Sequence, residues 1–400
     1  MDRVGRFNNA RKPVGNNKSR SDESNWRRPA SRDDGKDGKG NQQPISSGFS
    51  GEFVQIDPEA KFHENEQVEG VRLVTDFDLV RQLHVRLGEF AKGPTDFFPA
   101  LWPVTLSNEN IHFLASESYD VVPRANGTRY LLYVDLAGNI YLENMSQHIF
   151  RLDDDRSIRM ISSDGRPITD TVLDGIITRE KCTDSGENGK LTFLIHDAFR
   201  CNGMDLVDLN IRARINVIQE EIMKQRLDKP MELDDKEPFN LDIVDCRDAR
   251  SAEDFLSEGF EDLFKYSFRC LVFFPREKGY KCGTCYDVFQ WSETSSHTCT
   301  FRLKFPEYWR SGDSLKRAEL HAVGPHRTEI YFATIELTKE LRNLDGRIIE
   351  CRFADRQWIF VRQRNDRHHP NGRNAIFNKL KVLKSPITRQ RLVAALEEFK

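Results

Sequence analysis

The sequence predicts an α+β protein that ends in a smaller β-barrel. Three observations predict this fold: a long amphipathic helical pattern near residue 80, short strands joined by tight turns up to about residue 297, and a second set of short strands beyond residue 298. Short strands at regular spacing are typical of small barrels. A chain of 400 residues is also too long for one small domain.

The order of the chain predicts three regions. Residues 1–50 contain almost no aliphatic side chains, so we expect a disordered, mildly basic tail. Residues 51–297 form the larger α+β domain, and residues 298–400 form the barrel with a C-terminal helix. In the first domain, residues 75–91 predict a helix that Asp76 caps and Gly93-Pro94 ends. Residues 129–135 and 139–142 predict a β-hairpin around Ala137-Gly138.

The remaining elements follow from the spacing of apolar residues. A helix is predicted over residues 208–224, where aliphatic residues recur at helical spacing. Further strands of the first domain are predicted at 171–173, 191–195 and 269–274, and those of the barrel at 301–305, 329–333, 347–353 and 358–361. Residues 388–399 predict the final helix.

Composition excludes several classes of protein. Hydrophobic residues make up 38% of the chain, which excludes wholesale disorder. No stretch approaches the ~20 apolar residues of a membrane span, so we expect no membrane partner. The net charge of −3 means that any nucleic acid must be bound by a local basic patch. The eight cysteines are scattered, which favours free thiols in a reducing compartment.

Seven strings stand out along the chain: RANGTRY (124–130), LDG (173–175), FLIHD (193–197), GYKCGTC (279–285), VFQW (288–291), TKELRNLDGRIIEC (338–351) and WIFVRQRNDR (358–367). Together they resemble the guanylyltransferase of animal mRNA capping enzymes, which belong to the covalent nucleotidyltransferase superfamily with DNA and RNA ligases. The resemblance runs from about residue 70 to the C-terminus. It implies a ligase-type, ATP-grasp-like nucleotidyltransferase domain over 51–297 and an OB fold over 298–400.

The family's reaction uses a lysine that attacks the α-phosphate of GTP and passes GMP to a diphosphate RNA end. By the resemblance, Arg124 occupies the position of that lysine. A guanidinium stays protonated at pH 7 and has no free lone pair, so we expect Arg124 not to be a nucleophile. The sequence therefore predicts no catalytic residue at this position.

Other family positions have changed as well. By the same resemblance, Met145 replaces an arginine, Ile176 replaces an acidic residue, and Arg269-Cys270 stands where a metal-binding Asp-Gly is expected, with Ser267 nearby. The phosphate-binding Lys-Trp-Lys reads Gln290-Trp291-Ser292, and the last lysine of RxDK is Arg367. Mg²⁺ prefers carboxylate oxygens, so we expect no metal site here. Mg²⁺ would be a cofactor only if the protein were an active enzyme.

The resemblance implies a set of nucleotide- or RNA-binding candidates, with GTP as the nucleotide. They are Arg124, Asn126, Gly127, Arg129, Asp174, Asp197, Gln290, Trp291, Arg362, Arg364, Asp366 and Arg367. For Gly127, Asp174 and Asp197 a structural role in turns and strand hydrogen bonds is an equal alternative. Trp291 and Trp358 are expected in the core rather than as stacking platforms.

Three further patterns allow alternatives. Cys282, Cys285, His297 and Cys299 have a zinc-like spacing, but incidental thiols are the favoured interpretation. The pair His368-His369 is expected in an exposed loop rather than in a ligand site. The basic residues between 362 and 384 favour a solvated face over a phosphate-tracking surface.

The resulting hypothesis is a nuclear, or alternatively cytoplasmic, pseudoenzyme. It would bind an RNA 5′ end, a nucleotide, or partners such as the capping machinery or the RNA polymerase II tail. The alternative is an active mRNA guanylyltransferase with a relocated lysine at Lys265, Lys278 or Lys281. A third hypothesis is a protein-binding scaffold with an empty cleft.

Overall fold

The computed structural model describes residues 56–398 apart from 64–65, 96, 155, 157, 182–188, 229–236, 252, 258, 294–296, 307–315, 326–327 and 366. The tail predicted over residues 1–50 therefore lies outside the described residues, as do Cys182 and Asp366. Within the described part of the chain, every helix is too short or too polar to cross a bilayer.

Strands dominate the fold. They are β1 (Val71–Leu73), β2 (Leu101–Thr105), β3 (Tyr119–Ala125), β4 (Thr128–Val134), β5 (Ile140–Asn144), β6 (Ile149–Leu152), β7 (Thr171–Arg179), β8 (Leu191–Cys201), β9 (Met204–Asp205), β10 (Asn240–Ile243), β11 (Arg247–Asp248), β12 (Phe268–Pro275), β13 (Gly283–Trp291), β14 (Thr298–Lys304), β15 (Arg317–Val323), β16 (Glu329–Glu336), β17 (Ile348–Ala354) and β18 (Gln357–Gln363).

The helices are fewer and mostly short. They are α1 (Phe77–Phe90), α2 (His112–Ser116), α3 (Ile211–Ile218), α4 (Lys224–Asp228), α5 (Glu253–Leu256), α6 (Phe260–Leu263), α7 (Arg373–Lys384) and α8 (Arg389–Glu397). Short 3₁₀ turns lie at Ala249–Ser251 and Glu340–Asn343, and a π-helical turn at Gln219–Met223 joins α3 to α4.

Two sheets build the first domain. The larger sheet has the strand order β1-β6-β5-β4-β7-β8-β10, with β9 paired to β8, and the smaller has the order β11-β3-β12-β13-β2. The hairpin predicted around Ala137-Gly138 is present as the antiparallel pair β4–β5. Apolar side chains from both sheets, such as Leu131 and Val272, share one hydrophobic cluster. The two sheets therefore face each other across this part of the core.

The predicted barrel is present and closed. Its strand order is β14-β15-β16-β18-β17, and β17 returns to pair with β14. Neighbouring strands are antiparallel except β16 and β18, which are parallel. Phe301 and Trp358 lie at the centre of its core, with their rings 4.7 Å apart. A five-stranded closed barrel of this kind is consistent with the expected OB fold.

Local capping explains where the helices begin. The Asp76 side chain accepts hydrogen bonds from the backbone N–H groups of Asp78 and Leu79, so α1 begins as predicted. The helix predicted from residue 208 begins only at Ile211, so that boundary was wrong. The Asn210 side chain accepts from the Ala213 N–H and is the cap that starts α3.

Many elements were not predicted from the sequence, among them β3, β15 and α7. Strand β15 pairs with β14 and β16 inside the barrel. Helix α7 lies in a segment whose basic residues suggested only a charged surface. Asn378, Lys379 and Lys381 interrupt the apolar residues between its buried Ile376 and Val382, which obscures the helical period.

The C-terminal helix packs on the first domain although it follows the barrel in the sequence. Leu392 and Leu396 belong to the same hydrophobic cluster as Trp291 and Phe289. The Trp291 Nε1–H also donates to the Ile387 carbonyl at 2.8 Å. Trp291 is thus a core residue that fixes the path of the chain after the barrel.

The turn between β3 and β4 requires a glycine, and this requirement predicts a strong stability effect. Gly127 has φ +146°, and a Cβ there would lie 2.2 Å from the Ile177 carbonyl oxygen. We expect Gly127→Ala to lower the free energy of unfolding by about 3 kcal/mol, measured by urea denaturation. Gly138→Ala is the control, because its positive φ of +85° is in open space and should cost only about 1 kcal/mol. Equal losses at both sites would refute the steric explanation.

Candidate functional site

The site lies where the two sheets of the first domain face each other. Arg124 is on β3, paired with Cys270 of β12 in the smaller sheet. The carboxylates of Asp174 on β7 and Asp197 on β8, and the guanidinium of Arg129 on β4, all influence its charge from the larger sheet. Several of the predicted site residues therefore converge, although they are far apart in sequence.

Arg124 is a buried cation without a contacting anion. Only 7% of the residue is exposed, and its Nε has no hydrogen-bond partner. Burial, with repulsion from Arg129, lowers the pKa of its guanidinium to about 10. The group is still protonated at pH 7, so Arg124 has no lone pair with which to attack a phosphate.

The guanidinium of Arg129 is held by contacts within the protein. Its Nε donates to the Asp174 Oδ1 at 2.8 Å and its Nη1 donates to the Leu101 carbonyl at 3.0 Å. Its guanidinium also lies 5.7 Å from the ring centroid of Phe98 and 5.2 Å from that of Trp102. Burial alone would raise the pKa of Asp174, but the charge of Arg129 holds it well below its usual range.

Asp197 is paired in the same manner with a residue that sequence reasoning missed. Arg214 of α3 donates from Nε to the Asp197 Oδ1 at 2.7 Å and from Nη2 to the Oδ2 at 2.9 Å. Both residues are 1% exposed. Arg214 lies on the apolar face of a predicted helix, and a charge at a core position is the signal that would have identified it.

His196 is a second residue that the sequence analysis did not single out. It is buried beside the site, and its Nε2 lies 3.1 Å from the Asp174 Oδ1. The geometry nevertheless leaves both ring nitrogens without a hydrogen bond. Burial, followed by repulsion from Arg124, lowers the pKa of the imidazole to about 4.

Other predicted site residues make local contacts. The Asn126 Nδ2 donates to the Ser267 Oγ at 2.9 Å and to the Phe268 carbonyl at 3.1 Å, which joins the β3–β4 turn to the start of β12. Gln290 is half-buried in β13, and its carbonyl accepts from the Leu106 N–H. These contacts account for Asn126 and the Gln290 backbone as parts of the scaffold.

The predicted arginines of the barrel lie around one buried carboxylate. Glu350 accepts from the Arg362 Nε at 2.8 Å and from the Arg364 Nη1 at 3.4 Å. Burial alone would raise the pKa of Glu350, but Arg364, Thr298 and Arg362 together lower it to about 2. Arg362 and Arg364 therefore already contact an anionic side chain.

Contacts between the barrel and the first domain centre on residues 367 and 368. The Arg367 Nη2 lies 4.0 Å from the Met145 Sδ, and the His368 N–H donates to the Ser146 Oγ at 3.0 Å. The His368 Nε2 is also 2.9 Å from the His148 Nε2. His368 is half-buried in this contact, so the exposed loop predicted for it was wrong, whereas His369 is exposed.

The zinc-like spacing does not produce a cluster. Cys282, Cys285, His297 and Cys299 are all described, and no group of three or more His, Cys, Asp or Glu within the described ranges is placed to hold a metal ion. The seven described cysteines are free thiols.

Comparison with known proteins agrees with this architecture. Residues 63–294 match the family model of the mRNA capping enzyme, catalytic domain, and residues 295–393 match that of the mRNA capping enzyme, C-terminal domain. The chain is 28% identical over 349 residues to an mRNA-capping enzyme of Danio rerio, covering 84% of this chain and 56% of the relative. It is 29% identical over 343 residues to that of Mus musculus, covering 83% and 55%.

The chain thus spans little more than half the length of these relatives. Among solved structures, a mycobacterial DNA ligase D complexed with ATP and MES matches with a TM-score of 0.36 and 11% identity, covering 67% of this chain and 95% of that chain. That similarity is too low to support an inference. The two family matches together cover most of the chain, and the protein belongs to the mRNA capping enzyme family.

Proposed function

We propose that this protein is a catalytically inactive member of the mRNA capping enzyme family. In this proposal it binds a nucleotide or the phosphorylated 5′ end of an RNA beside Arg124 and transfers no GMP. The observation that carries the proposal is the buried guanidinium of Arg124, which holds a positive charge and has an unpartnered Nε.

The inactivity follows from the chemistry of the residues present. Covalent transfer through an amine requires a deprotonated lone pair, and Arg124 stays protonated. Ile176 and Cys270, which stand where the resemblance expects a carboxylate and a metal-binding pair, are both buried and supply no carboxylate oxygen. The carboxylates that the site does hold, Asp174 and Asp197, are each paired with an arginine. Mg²⁺ therefore finds no unpaired carboxylate among these residues, and the charge on a transferring phosphate would not be neutralised.

The binding role follows from the charge balance. Arg129 is neutralised by Asp174, and Arg214 is neutralised by Asp197. Arg124 has no such partner, so the site has an excess of one positive charge. A buried charge without a partner is costly, and a phosphate oxyanion would both neutralise it and accept a hydrogen bond from its Nε.

The alternative of a relocated lysine is not favoured by the contacts of the candidate amines. The Lys265 Nζ lies 2.9 Å from the Glu180 Oε1, and the Lys278 Nζ lies 2.6 Å from the Asp287 Oδ2. The hydrogen bond to Asp287 raises the pKa of Lys278 and so disfavours the free amine. Lys281 lines a cavity of about 340 Å³ whose lining includes neither Arg124 nor Asp174.

Membership of the family also suggests the cellular location and the binding partners of the protein. We place the protein in the nucleus with nascent transcripts, where the capping machinery and the RNA polymerase II tail are its candidate partners. This extension rests on the family alone, and co-purification of polymerase with the tagged full chain would test it.

The decisive test combines a covalent assay with a binding assay. The full chain is incubated with labelled GTP and Mg²⁺ or Mn²⁺ and examined by denaturing electrophoresis, with an active capping enzyme as the positive control. We expect no GMP adduct on the wild type. In parallel, thermal shifts are measured with GTP and with one RNA bearing a 5′-triphosphate or a 5′-hydroxyl.

The phosphorylated ligands should raise the melting temperature, and the 5′-hydroxyl RNA should not. Arg124→Lys, which keeps the cation, should retain part of the shift, and Arg124→Met should lose it. A GMP adduct on the wild type would refute the proposal that the protein is inactive and would support the alternative of a relocated catalytic lysine. If no adduct forms and no ligand raises the melting temperature, the binding role is refuted and the hypothesis of a protein-binding scaffold remains.

A further inference from the structure

An irregularity in the large sheet determines the direction of one side chain in the site. Strands β7 and β8 are paired with Asp174 opposite Asp197 and Gly175 opposite Ile195, so the register shifts at this point. His196 is the extra residue, and the bulge leaves it without a partner on β7. Bulges re-aim side chains, and they are frequent next to functional sites.

The bulge places the imidazole of His196 among charged groups of three other strands. Asp174 on β7, Arg129 on β4 and Arg124 on β3 all influence its charge. Asp197, its neighbour on β8, is paired with Arg214. His196 is 1% exposed, yet both of its ring nitrogens lack a hydrogen bond.

Two buried polar groups in one site therefore lack a hydrogen bond, the Nε of Arg124 and the imidazole of His196, whose Nε2 lies 3.1 Å from the Asp174 Oδ1 without hydrogen-bond geometry. Native proteins satisfy nearly all such groups, and those that remain unsatisfied call for an explanation. An oxyanion has several acceptor oxygens on one atom, so it can accept from both groups. In doing so it adds negative charge beside the imidazole, which favours the protonated ring.

We propose that His196 couples anion binding to proton uptake. Its imidazole is neutral while the site is empty, and it takes up one proton when a phosphate-type oxyanion binds beside Arg124. This inference rests on the proposed function, since it assumes that the site binds an anion. The proton comes from the solvent, and no covalent bond forms or breaks. The imidazolium then donates to the bound oxyanion, as Arg124 does.

The electrostatics of the empty site give the direction of the linkage. Burial and the charge of Arg124 lower the pKa of His196 to about 4, so the ring is neutral at pH 7. A bound anion opposes both effects and raises the pKa. Affinity should therefore increase as the pH falls from 7 toward 5, by at most about tenfold per pH unit, because one proton is taken up.

The test uses sulfate as the probe, because it remains a dianion between pH 5 and 8 and takes up no proton itself. Binding enthalpies of sulfate to the full chain are measured at pH 6 in two buffers of different ionisation enthalpy, which gives the number of protons taken up. We expect a net uptake approaching one proton in the wild type. His196→Asn should bind without uptake and lose the pH dependence.

His297→Asn is the matched control. His297 is also buried, and burial lowers its pKa to about 4 as well, but its surroundings are Lys379 and the backbone of Ser292. This variant should keep the proton uptake. If His196→Asn does not fold, the wild type with ¹³C-labelled histidine decides the point, because sulfate should move one buried imidazole resonance to the imidazolium position.

The outcomes separate the two proposals. Binding of sulfate without proton uptake, or uptake that persists in His196→Asn, overturns the role of His196 and leaves the proposed function intact. No imidazole resonance moving in the wild type has the same consequence. If neither sulfate nor GTP nor 5′-phosphorylated RNA binds, the proposed function fails and this inference fails with it.

Discussion

Replacement of Arg124 by methionine should make the protein more stable and abolish its anion binding. The guanidinium is buried without a contacting anion, so its desolvation is not repaid in the empty site. Methionine keeps the length of the side chain and removes the charge. We expect the free energy of unfolding in urea to rise by about 1–3 kcal/mol, and the thermal shift with sulfate or GTP to disappear.

The control for this prediction is another arginine of the same site. Arg129 is as buried as Arg124, but it is bonded to Asp174 and to the Leu101 carbonyl. Arg129→Met leaves the Asp174 carboxylate buried without its partner, which should cost about 3–5 kcal/mol. If Arg124→Met were destabilised to the same extent, the charge of Arg124 would have to be satisfied by the protein, and the argument for an anion site would fail.

Loss of the Asp197 carboxylate should cause the other large effect. Arg214 donates two hydrogen bonds to it, and both residues are excluded from solvent. Asp197→Asn leaves the guanidinium charged and buried without a counter-ion, and we expect the free energy of unfolding to fall by about 3–5 kcal/mol. Urea denaturation monitored by tryptophan fluorescence measures this change.

A double variant shows whether Asp197→Asn is destabilised by the unpaired charge of Arg214 or by loss of packing. In the double variant Asp197→Leu with Arg214→Met neither charge remains, so it should recover most of the free energy of unfolding that Asp197→Asn loses. Comparison of this double variant with its two single variants should give a coupling energy above about 2 kcal/mol. Glu220→Gln removes one partner of an exposed pair with Lys224 and should change stability by no more than about 0.5 kcal/mol. A double variant as unstable as Asp197→Asn would show that the pair is not the source of the effect.

These pairs give a structural reason for two residues that the sequence also assigned to binding. Asp174 and Asp197 each hold a buried arginine, and Gly127 permits the close approach of the β3–β4 turn to Ile177. Selection for the fold alone would keep them. Arg124 and His196 are different, because the Nε of Arg124 and both ring nitrogens of His196 are buried without a hydrogen bond. The two proposals depend on this contrast.

Features that depend on near neighbours along the chain could be predicted from the sequence. The Asp76 cap, the Ala137-Gly138 turn and the alternating strands of the barrel each involve residues only a few positions apart, so their patterns were readable. The family was identifiable for a related reason, since its motifs are short contiguous strings. The start of α3 was misplaced because the cap is Asn210 and not Asp208, and α7 was missed because polar and lysine residues interrupt its apolar positions.

The pairing of the buried charges could not be predicted from the sequence, because it depends on how the strands are arranged in the sheet. Arg129 and Asp174 are 45 positions apart, and they meet because β4 and β7 are neighbours in the sheet. A single extra residue in β8 directs His196 into the site. Ion pairs and bulges depend on strand order and register, which local patterns do not encode. The sequence therefore revealed the change at Arg124, but only the fold showed that its charge is buried and unpaired.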